Sequence, residues 1–143
     1  MPDPGTIHNA IAAAWNARNY DTMKSLADPE YTFTGPDGVE LSGGPETAVN
    51  VGQMWANAFP DGKLEVKRVV TQGNIAIAEM VGRGTHRGDF NGIAPTGKTV
   101  TVHICNVMEL RNGKVFRERE YLDVATILQQ LGVMPAPAKS AGR

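Results

Sequence analysis

The sequence has little of several features that mark common classes of protein. It holds one cysteine, Cys105, and no neighbouring cluster of His and Glu, so neither a metal site nor a thiol nucleophile is expected. Its formal net charge is −1, with 14 basic and 15 acidic residues, and offers no basic surface for nucleic acid or for a membrane. No apolar run approaches the roughly 18 residues that a membrane span needs. We therefore expect a protein that binds neither nucleic acid nor membrane.

Also missing are a charged-then-apolar leader, an internal repeat and an interior linker. A chain of 143 residues buries about 68–70% of its unfolded surface, so one core is sufficient. We expect a single domain over residues 1–143, located in the cytoplasm. Only residues 1–5 and the Pro- and Ala-rich residues 135–143 are expected to be flexible.

The first sixty residues carry helical patterns. An amphipathic helix, capped by Thr6 and with His8 on its surface, is predicted from residues at i, i+4, i+7, i+8 and i+11, which are Ile7, Ile11, Ala14, Trp15 and Arg18. Asp21 is expected to cap a second, short helix, and a strand should follow over residues 31–34. The third helix should begin at Pro45 and end at Ala58. From Pro60 onwards, about sixty residues read as β-strands.

The clearest strand covers residues 99–111. Its even-numbered residues are apolar except for Asn106, and its odd-numbered residues, including His103 and Cys105, are mostly polar. A three-residue loop over 111–113 would place Asn106 opposite Glu118 and Ile104 opposite Glu120, with both glutamates on the core face. A two-residue loop would reverse this and send both glutamates to the outer face.

The preceding hairpin allows the same reasoning. A three-residue loop over residues 72–74 would place Arg68 opposite Ala78 on the apolar face, and Lys67 opposite Glu79 on the solvent face. If alternation continues to the end of that strand, His86 also points inward. The glycines on either side of Arg83 favour a bulge, which would reverse the direction of the His86 side chain.

Three acids lie between the turn at Asn112-Gly113 and a terminal helix over residues 124–131 that is closed by Gly132. They are Glu118, Glu120 and Asp123. Asp123 directly precedes the helix, which is the position of a capping residue. It is also a second candidate for a catalytic acid.

The predicted interior therefore contains polar groups within apolar surroundings, namely Asn106, Glu118, Glu120, Arg68 and His86. Paired carboxylates in an apolar cavity have raised pKa values, which suits general acid/base catalysis. Asn106 could then donate to a developing enolate oxygen, and Arg68 could bind a carbonyl or carboxylate. Alternatively, Arg68 forms an internal ion pair with one glutamate and the other acids lie in water. The expected pocket wall, or core, comprises Trp15, Tyr31, Phe33, Trp55 and Ile104.

Several motifs together identify a resemblance. They are Phe59-Pro60-Asp61, the run from Gly84-Thr85-His86 to Gly97-Lys98, Gly113-Lys114-Val115, the acids Glu120 and Asp123, and Gln130-Leu131-Gly132. As a set, over residues 7–134, they resemble the SnoaL-like polyketide cyclase family. This chain has Glu120 where the family commonly has Asp, and Glu118 where a histidine commonly precedes that acid by two residues. It has Asn106 where the characterised cyclases have histidine.

The resemblance implies a cone-shaped α+β barrel of the nuclear transport factor 2-like type, with helices on a curved mixed or antiparallel sheet around an apolar pocket. It implies that Glu120 points inward and takes the place of the family's acid, and that the chain forms a homodimer through its sheet. We expect cofactor-independent, metal-free acid/base catalysis of cyclisation, isomerisation or hydration of a small apolar carbonyl compound. The alternative is a non-catalytic module that binds a small molecule in the same cavity.

Overall fold

The computed structural model describes residues 3–135, and this part of the chain has four helices and six strands. The helices are α1 (Pro4–Asn16), α2 (Tyr20–Ser25), α3 (Pro45–Ala58) and α4 (Val124–Gln130). The strands are β1 (Ala27–Thr34), β2 (Glu40–Ser42), β3 (Lys63–Gln72), β4 (Ile75–Thr85), β5 (Thr99–Arg111) and β6 (Lys114–Leu122). None of the described helices combines the length and the apolar character needed to cross a membrane.

The six strands form one mixed, curved sheet in the order β2-β1-β6-β5-β4-β3. Strand β1 pairs with β6 in parallel, and every other neighbouring pair is antiparallel. Helix α1 packs on β3, β4 and β5, α3 packs on β1, and α4 packs on β5. The expected α+β fold, with helices on a curved sheet, is therefore confirmed.

The helix boundaries follow their capping residues. Helix α1 begins at Pro4 because Asp3 accepts a hydrogen bond from the Thr6 N–H at 3.2 Å, so the expected cap at Thr6 is wrong. Helix α2 is capped by Asn19 and not by Asp21. Pro4 and Gly5, where flexibility was expected, lie in the first turn of α1. The expectations for residues 1–2 and 136–143 lie outside the described residues.

The other two helices match their predicted bounds closely. Helix α3 runs from Pro45 to Ala58 as expected. Helix α4 ends at Gln130, and Gly132 follows in the left-handed region with φ of 77°. Pro at the start of a helix and Gly just past its end are strong local signals, which is why the sequence located both elements.

The β5–β6 hairpin combines a two-residue turn with a β-bulge. Arg111 pairs with Lys114 around Asn112 and Gly113, whose φ values are 53° and 76°, so the predicted three-residue loop is wrong. The pairing shifts between Glu109 and Leu110, which leaves one extra residue, at position 116, on β6. This extra residue restores the inward direction of both glutamates. Asn106 consequently lies opposite Glu120 and not opposite Glu118.

The β3–β4 hairpin also combines a two-residue turn with a β-bulge, and its Arg68 faces the solvent. Gln72 pairs with Ile75, which makes a two-residue turn, and the register shifts between Val66 and Arg68. Arg68 therefore pairs with Glu79, and the two side chains form an exposed ion pair at 2.8 Å. The predicted interior position of Arg68 is wrong because the turn is one residue shorter than expected, which moves Arg68 from Ala78 to Glu79. The predicted pairing of Lys67 with Glu79 is also wrong, because Lys67 is the extra residue of the bulge.

Candidate active site

A cavity of about 130 Å³ lies between the sheet and the helices. Its wall is mainly apolar and aromatic, and the five wall residues expected from the sequence all line it, namely Trp15, Tyr31, Phe33, Trp55 and Ile104. Further lining comes from Phe59, Met80 and Ile127. A concave apolar space with few polar groups is the usual form of a small-molecule site.

Five polar side chains meet at one part of this wall. They are His8 on α1, Tyr31 on β1, Asn106 on β5, and Glu118 and Glu120 on β6. The two glutamates share one face because they are two residues apart on a strand. Asn106 lies opposite Glu120 across the antiparallel pair, and β1 runs beside β6, which brings Tyr31 to Glu118.

Asn106 connects both glutamates to the helix. Its amide nitrogen lies 2.8 Å from Glu118 Oε2 and 3.1 Å from Glu120 Oε2, and its Oδ1 lies 2.9 Å from His8 Nε2. Carboxylate oxygens accept hydrogen bonds, so the amide N–H groups face them and Oδ1 faces the imidazole. Oδ1 can only accept, so Nε2 of His8 carries the proton. In neutral His8 the other nitrogen, Nδ1, therefore carries no proton.

Glu118 is held by two donors. The hydroxyl of Tyr31 donates to its Oε1 at 2.5 Å, and Asn106 donates to its Oε2. Burial and the negative charge of Glu118 raise the pKa of Tyr31 well above its ordinary value, so the phenol stays protonated and remains a donor. These two hydrogen bonds hold the Glu118 carboxylate in one orientation.

Glu120 has a different environment. Burial in the apolar wall, and then repulsion by Glu118, raise its pKa to about 7, while the hydrogen bond from Asn106 opposes the rise. Its Oε1 accepts no hydrogen bond from any described residue. Glu120 can therefore gain and lose a proton near neutral pH, with one oxygen available to a ligand.

Several side-chain donors of the wall already have partners among the described residues. Both amide hydrogens of Asn106 face the glutamates, and the indole N–H of Trp15 donates to the Gly52 carbonyl at 2.9 Å. Lys63 and Arg83 also line the cavity, but Lys63 donates to the Asn16 carbonyl at 2.7 Å, and Arg83 lies 3.8 Å from Glu65. Asn106 lies at the site, and both of its amide hydrogens are engaged by the glutamates.

Three predicted site residues lie away from the cavity. Asp123 is exposed and caps α4 through the Thr126 N–H at 3.3 Å and hydroxyl at 2.8 Å, which is the capping alternative. Arg68 lies on the outer face of the sheet. His86 is buried as expected, but it packs against Phe59 and Phe90 and does not line the cavity. Its Nδ1 accepts a hydrogen bond from the Thr96 N–H at 3.1 Å.

Sequence reasoning missed His8, which was expected on the surface. The side chain is 1% exposed and contacts Asn106. The signal was present as a helical stripe at i, i+3, i+4 and i+7, formed by His8, Ile11, Ala12 and Trp15, all of which line the cavity. The predicted stripe began one residue earlier, at Ile7, so His8 fell beside it.

No three His, Cys, Asp or Glu side chains within residues 3–135 are grouped so that they could hold a metal ion. His8 and the two glutamates meet at one wall, but Asn106 lies between the imidazole and both carboxylates. The arrangement of the described residues permits proton transfer by Glu120 beside the carboxylate of Glu118.

Comparisons with known proteins show which family and which solved structures the chain is similar to. The family model for SnoaL-like polyketide cyclases matches residues 6–131. Aklanonic acid methyl ester cyclase AcmA of Streptomyces galilaeus is 27% identical over 85% of this chain and 85% of its own. Nogalonic acid methyl ester cyclase of Streptomyces nogalater is 26% identical over 85% of this chain and 92% of its own. The crystal structure of AclR from Streptomyces galilaeus is 25% identical, with a TM-score of 0.83 over 95% of this chain and 85% of AclR.

Proposed function

Because the chain belongs to the SnoaL-like polyketide cyclase family, we propose that it is a small-molecule cyclase or isomerase that uses Glu120 as its acid/base group. The observation that supports this most directly is the state of that carboxyl. Its pKa is raised to about 7, it faces an apolar cavity, and its Oε1 has no hydrogen-bond partner among the described residues. A general base works best when its pKa lies near the operating pH.

The proposed reaction is an intramolecular aldol cyclisation, and it needs no cofactor. Glu120 Oε1 takes a proton from the carbon next to a carbonyl, and the C–H electron pair moves into an enolate. The enolate carbon then forms a bond to a second carbonyl carbon of the same molecule, whose π electrons move to its oxygen. That alkoxide takes the proton back from Glu120, so protons and charge balance over the cycle. Holding both reacting carbons in one small cavity favours this intramolecular step.

The fixed carboxylate of Glu118 supports the role of Glu120. Its negative charge is the second cause of the raised pKa of Glu120, after burial. Glu118 itself has a donor on each oxygen, from Tyr31 and Asn106, so both oxygens are already engaged. The two glutamates are therefore proposed to have separate tasks, one as a charge and one as a proton carrier.

The charges of the wall support an uncharged substrate. Two carboxyl groups face the cavity, while Lys63 and Arg83 have partners of their own, so a ligand carboxylate would meet like charge. A neutral ketone or ester avoids this repulsion. The curated relatives are named as cyclases of methyl esters, in which the acid is uncharged, and we propose an ester or ketone of this kind here. A 1,3-dicarbonyl compound fits best, because its enolate charge spreads over two oxygens and depends less on hydrogen-bond donors of the wall.

Turnover of an aromatic polyketide methyl ester by wild-type protein and by Glu120→Gln tests the proposal. The amide keeps the shape of the side chain and removes its basicity, so we expect turnover to fall by about 10²-fold or more. Arg68→Gln is the matched control, because it removes a charge from the outer face and should leave turnover unchanged. Product would be followed by chromatography, since cyclisation leaves the mass unchanged.

Two results would overturn this assignment. Wild-type turnover in Glu120→Gln would remove Glu120 as the acid/base group. Binding of several such esters by the wild-type protein, without any product, would instead identify a module that binds small molecules without catalysis.

A further inference from the structure

We propose that His8 is a positioning residue, which holds the Asn106 amide with its hydrogens toward Glu118 and Glu120 and prevents the amide from turning over. The catalytic importance of this contact rests on the proposed function of Glu120. The positioning itself does not, because it concerns the hydrogen bonds of the protein without a ligand.

The contact between His8 and Asn106 is built into the core. The imidazole and the amide are each 1% exposed, and they join helix α1 to strand β5 across 98 positions of the chain. Among the described residues, His8 is the only side chain that donates to Asn106 Oδ1, at 2.9 Å. Without His8 this oxygen would be buried with no side-chain donor.

An asparagine amide can turn over with little change in shape, so its neighbours decide its orientation. When Glu120 is ionised, both carboxylates require the N–H groups of Asn106. When Glu120 is protonated, a turned amide could accept the Glu120 O–H with Oδ1 and hold that proton. His8 prevents this, because a turned amide would point its N–H groups at the Nε2–H of His8, and two donors would face each other.

The tautomer of His8 is itself fixed by burial. Its Nδ1 has no hydrogen-bond partner among the described residues and is closed off from solvent. Moving the proton from Nε2 to Nδ1 would therefore bury an unpartnered donor, and adding a second proton would bury an unpartnered charge. Burial accordingly lowers the pKa of His8, which stays neutral with Nε2–H toward Asn106.

The groups that face Glu120 come from three other elements and from its own strand. They are His8 on α1, Tyr31 on β1, Asn106 on β5 and Glu118 on β6. Lys63 and Arg83, which also line the cavity, have partners elsewhere. In a variant at position 8, a change in the titration of Glu120 is therefore transmitted mainly through Asn106.

The test is the titration of the Glu120 carboxyl, followed by carbon-detected NMR and assigned by its absence in Glu120→Gln. In His8→Leu, Asn106 is released, and we expect the midpoint to rise by about one pH unit, because the protonated form gains an acceptor. His8→Gln should give a midpoint between those of the wild type and His8→Leu, since the Gln amide nitrogen can donate to Oδ1 but the Gln amide can itself turn over. Ile7→Val, a smaller buried side chain on the same helix that does not line the cavity, is the control for loosened packing.

A wild-type midpoint in folded His8→Leu would overturn the proposal, as would a larger shift in His8→Gln than in His8→Leu. If His8→Leu does not fold, nitrogen NMR of the wild-type imidazole at pH 7 decides the matter. Neutral His8 with Nε2–H and bare Nδ1 is expected, and the opposite tautomer or an imidazolium would contradict the proposal. Neither measurement needs a substrate, so the positioning role of His8 and the catalytic role of Glu120 can fail separately.

Discussion

At the scale of single residues, two glutamates of one strand differ because their neighbours differ. Glu118 has a donor on each oxygen, whereas Glu120 has one donor and one oxygen without a partner among the described residues. Burial penalises the charged form of Glu120, and the charge of Glu118 adds to that penalty. The assignment of the proton carrier therefore follows from counting donors on each carboxyl.

Glu118→Gln should lower the pKa of Glu120, because it removes the second cause of the raised value. We expect the acidic limb of the pH profile of turnover to move from about pH 7 to lower pH, by on the order of one unit. Turnover at pH 6 should then rise relative to turnover at pH 8. Glu79→Gln, which removes an exposed carboxylate on the outer face, is the matched control. An unmoved limb in Glu118→Gln would contradict the electrostatic role of Glu118.

The sequence identified these residues only in part. The alternation of residues 99–111 was sufficient to place Asn106 on the core face, since one polar residue among five apolar ones stands out. His8 was missed because a helical stripe can be drawn through neighbouring positions, and only the packing of α1 on the sheet decides which one is buried. Partners such as Asn106 are distant in the chain and leave no local signal.

At the scale of elements, two bulges decide which side chains enter the cavity. Each hairpin has a two-residue turn, which alone would send both glutamates outward and which places Arg68 opposite Glu79 on the outer face. One extra residue on β6 brings Glu118 and Glu120 back to the core face, and one on β3, Lys67, returns Leu64 to the core face. A bulge needs no special residue, so turn chemistry predicts the turn and not the facing beyond it.

Asp123 illustrates how an element accounts for an acid that looked catalytic. Asp123→Ala removes the N-cap of α4 and should lower the free energy of unfolding by about 1 kcal/mol. Asp123→Asn retains an acceptor and should unfold like the wild type. Both variants should keep wild-type turnover, because Asp123 does not line the cavity. Denaturant unfolding and a turnover assay check this, and a folded but inactive Asp123→Ala would show that the residue has more than a capping role.

At the scale of the whole molecule, the raised pKa of Glu120 lowers the free energy of unfolding as pH rises through neutrality. Glu120 has a pKa of about 7 in the folded chain against an ordinary value of 4.5. Between these two pH values, the unfolded chain has released this proton while the folded chain still holds it. The contribution of Glu120 to the free energy of unfolding is therefore fully present below pH 4.5. It falls as pH rises towards 7 and is lost above pH 7.

The free energy of unfolding of the wild type, compared with Glu120→Gln, should reveal this effect. We expect the wild type to lose up to about 3 kcal/mol relative to the variant between pH 4.5 and pH 8, because each unit of pKa shift corresponds to about 1.4 kcal/mol. Urea titrations of both proteins at pH 4.5 and pH 8 measure the difference, and groups common to both proteins cancel. A parallel pH dependence would mean that Glu120 titrates normally in the folded chain.

The central claim is that Glu120 removes a proton from a carbon next to a carbonyl, and hydrogen exchange measures that step without requiring cyclisation. The protein would be incubated in D₂O with uncharged keto esters, and loss of the α-proton signal would be followed by NMR above the spontaneous rate. We expect wild-type protein and Glu79→Gln to accelerate exchange, with activity rising through an apparent pKa of about 7, and Glu120→Gln to do so at least about 10²-fold less. Equal exchange by wild-type protein and Glu120→Gln would contradict the account.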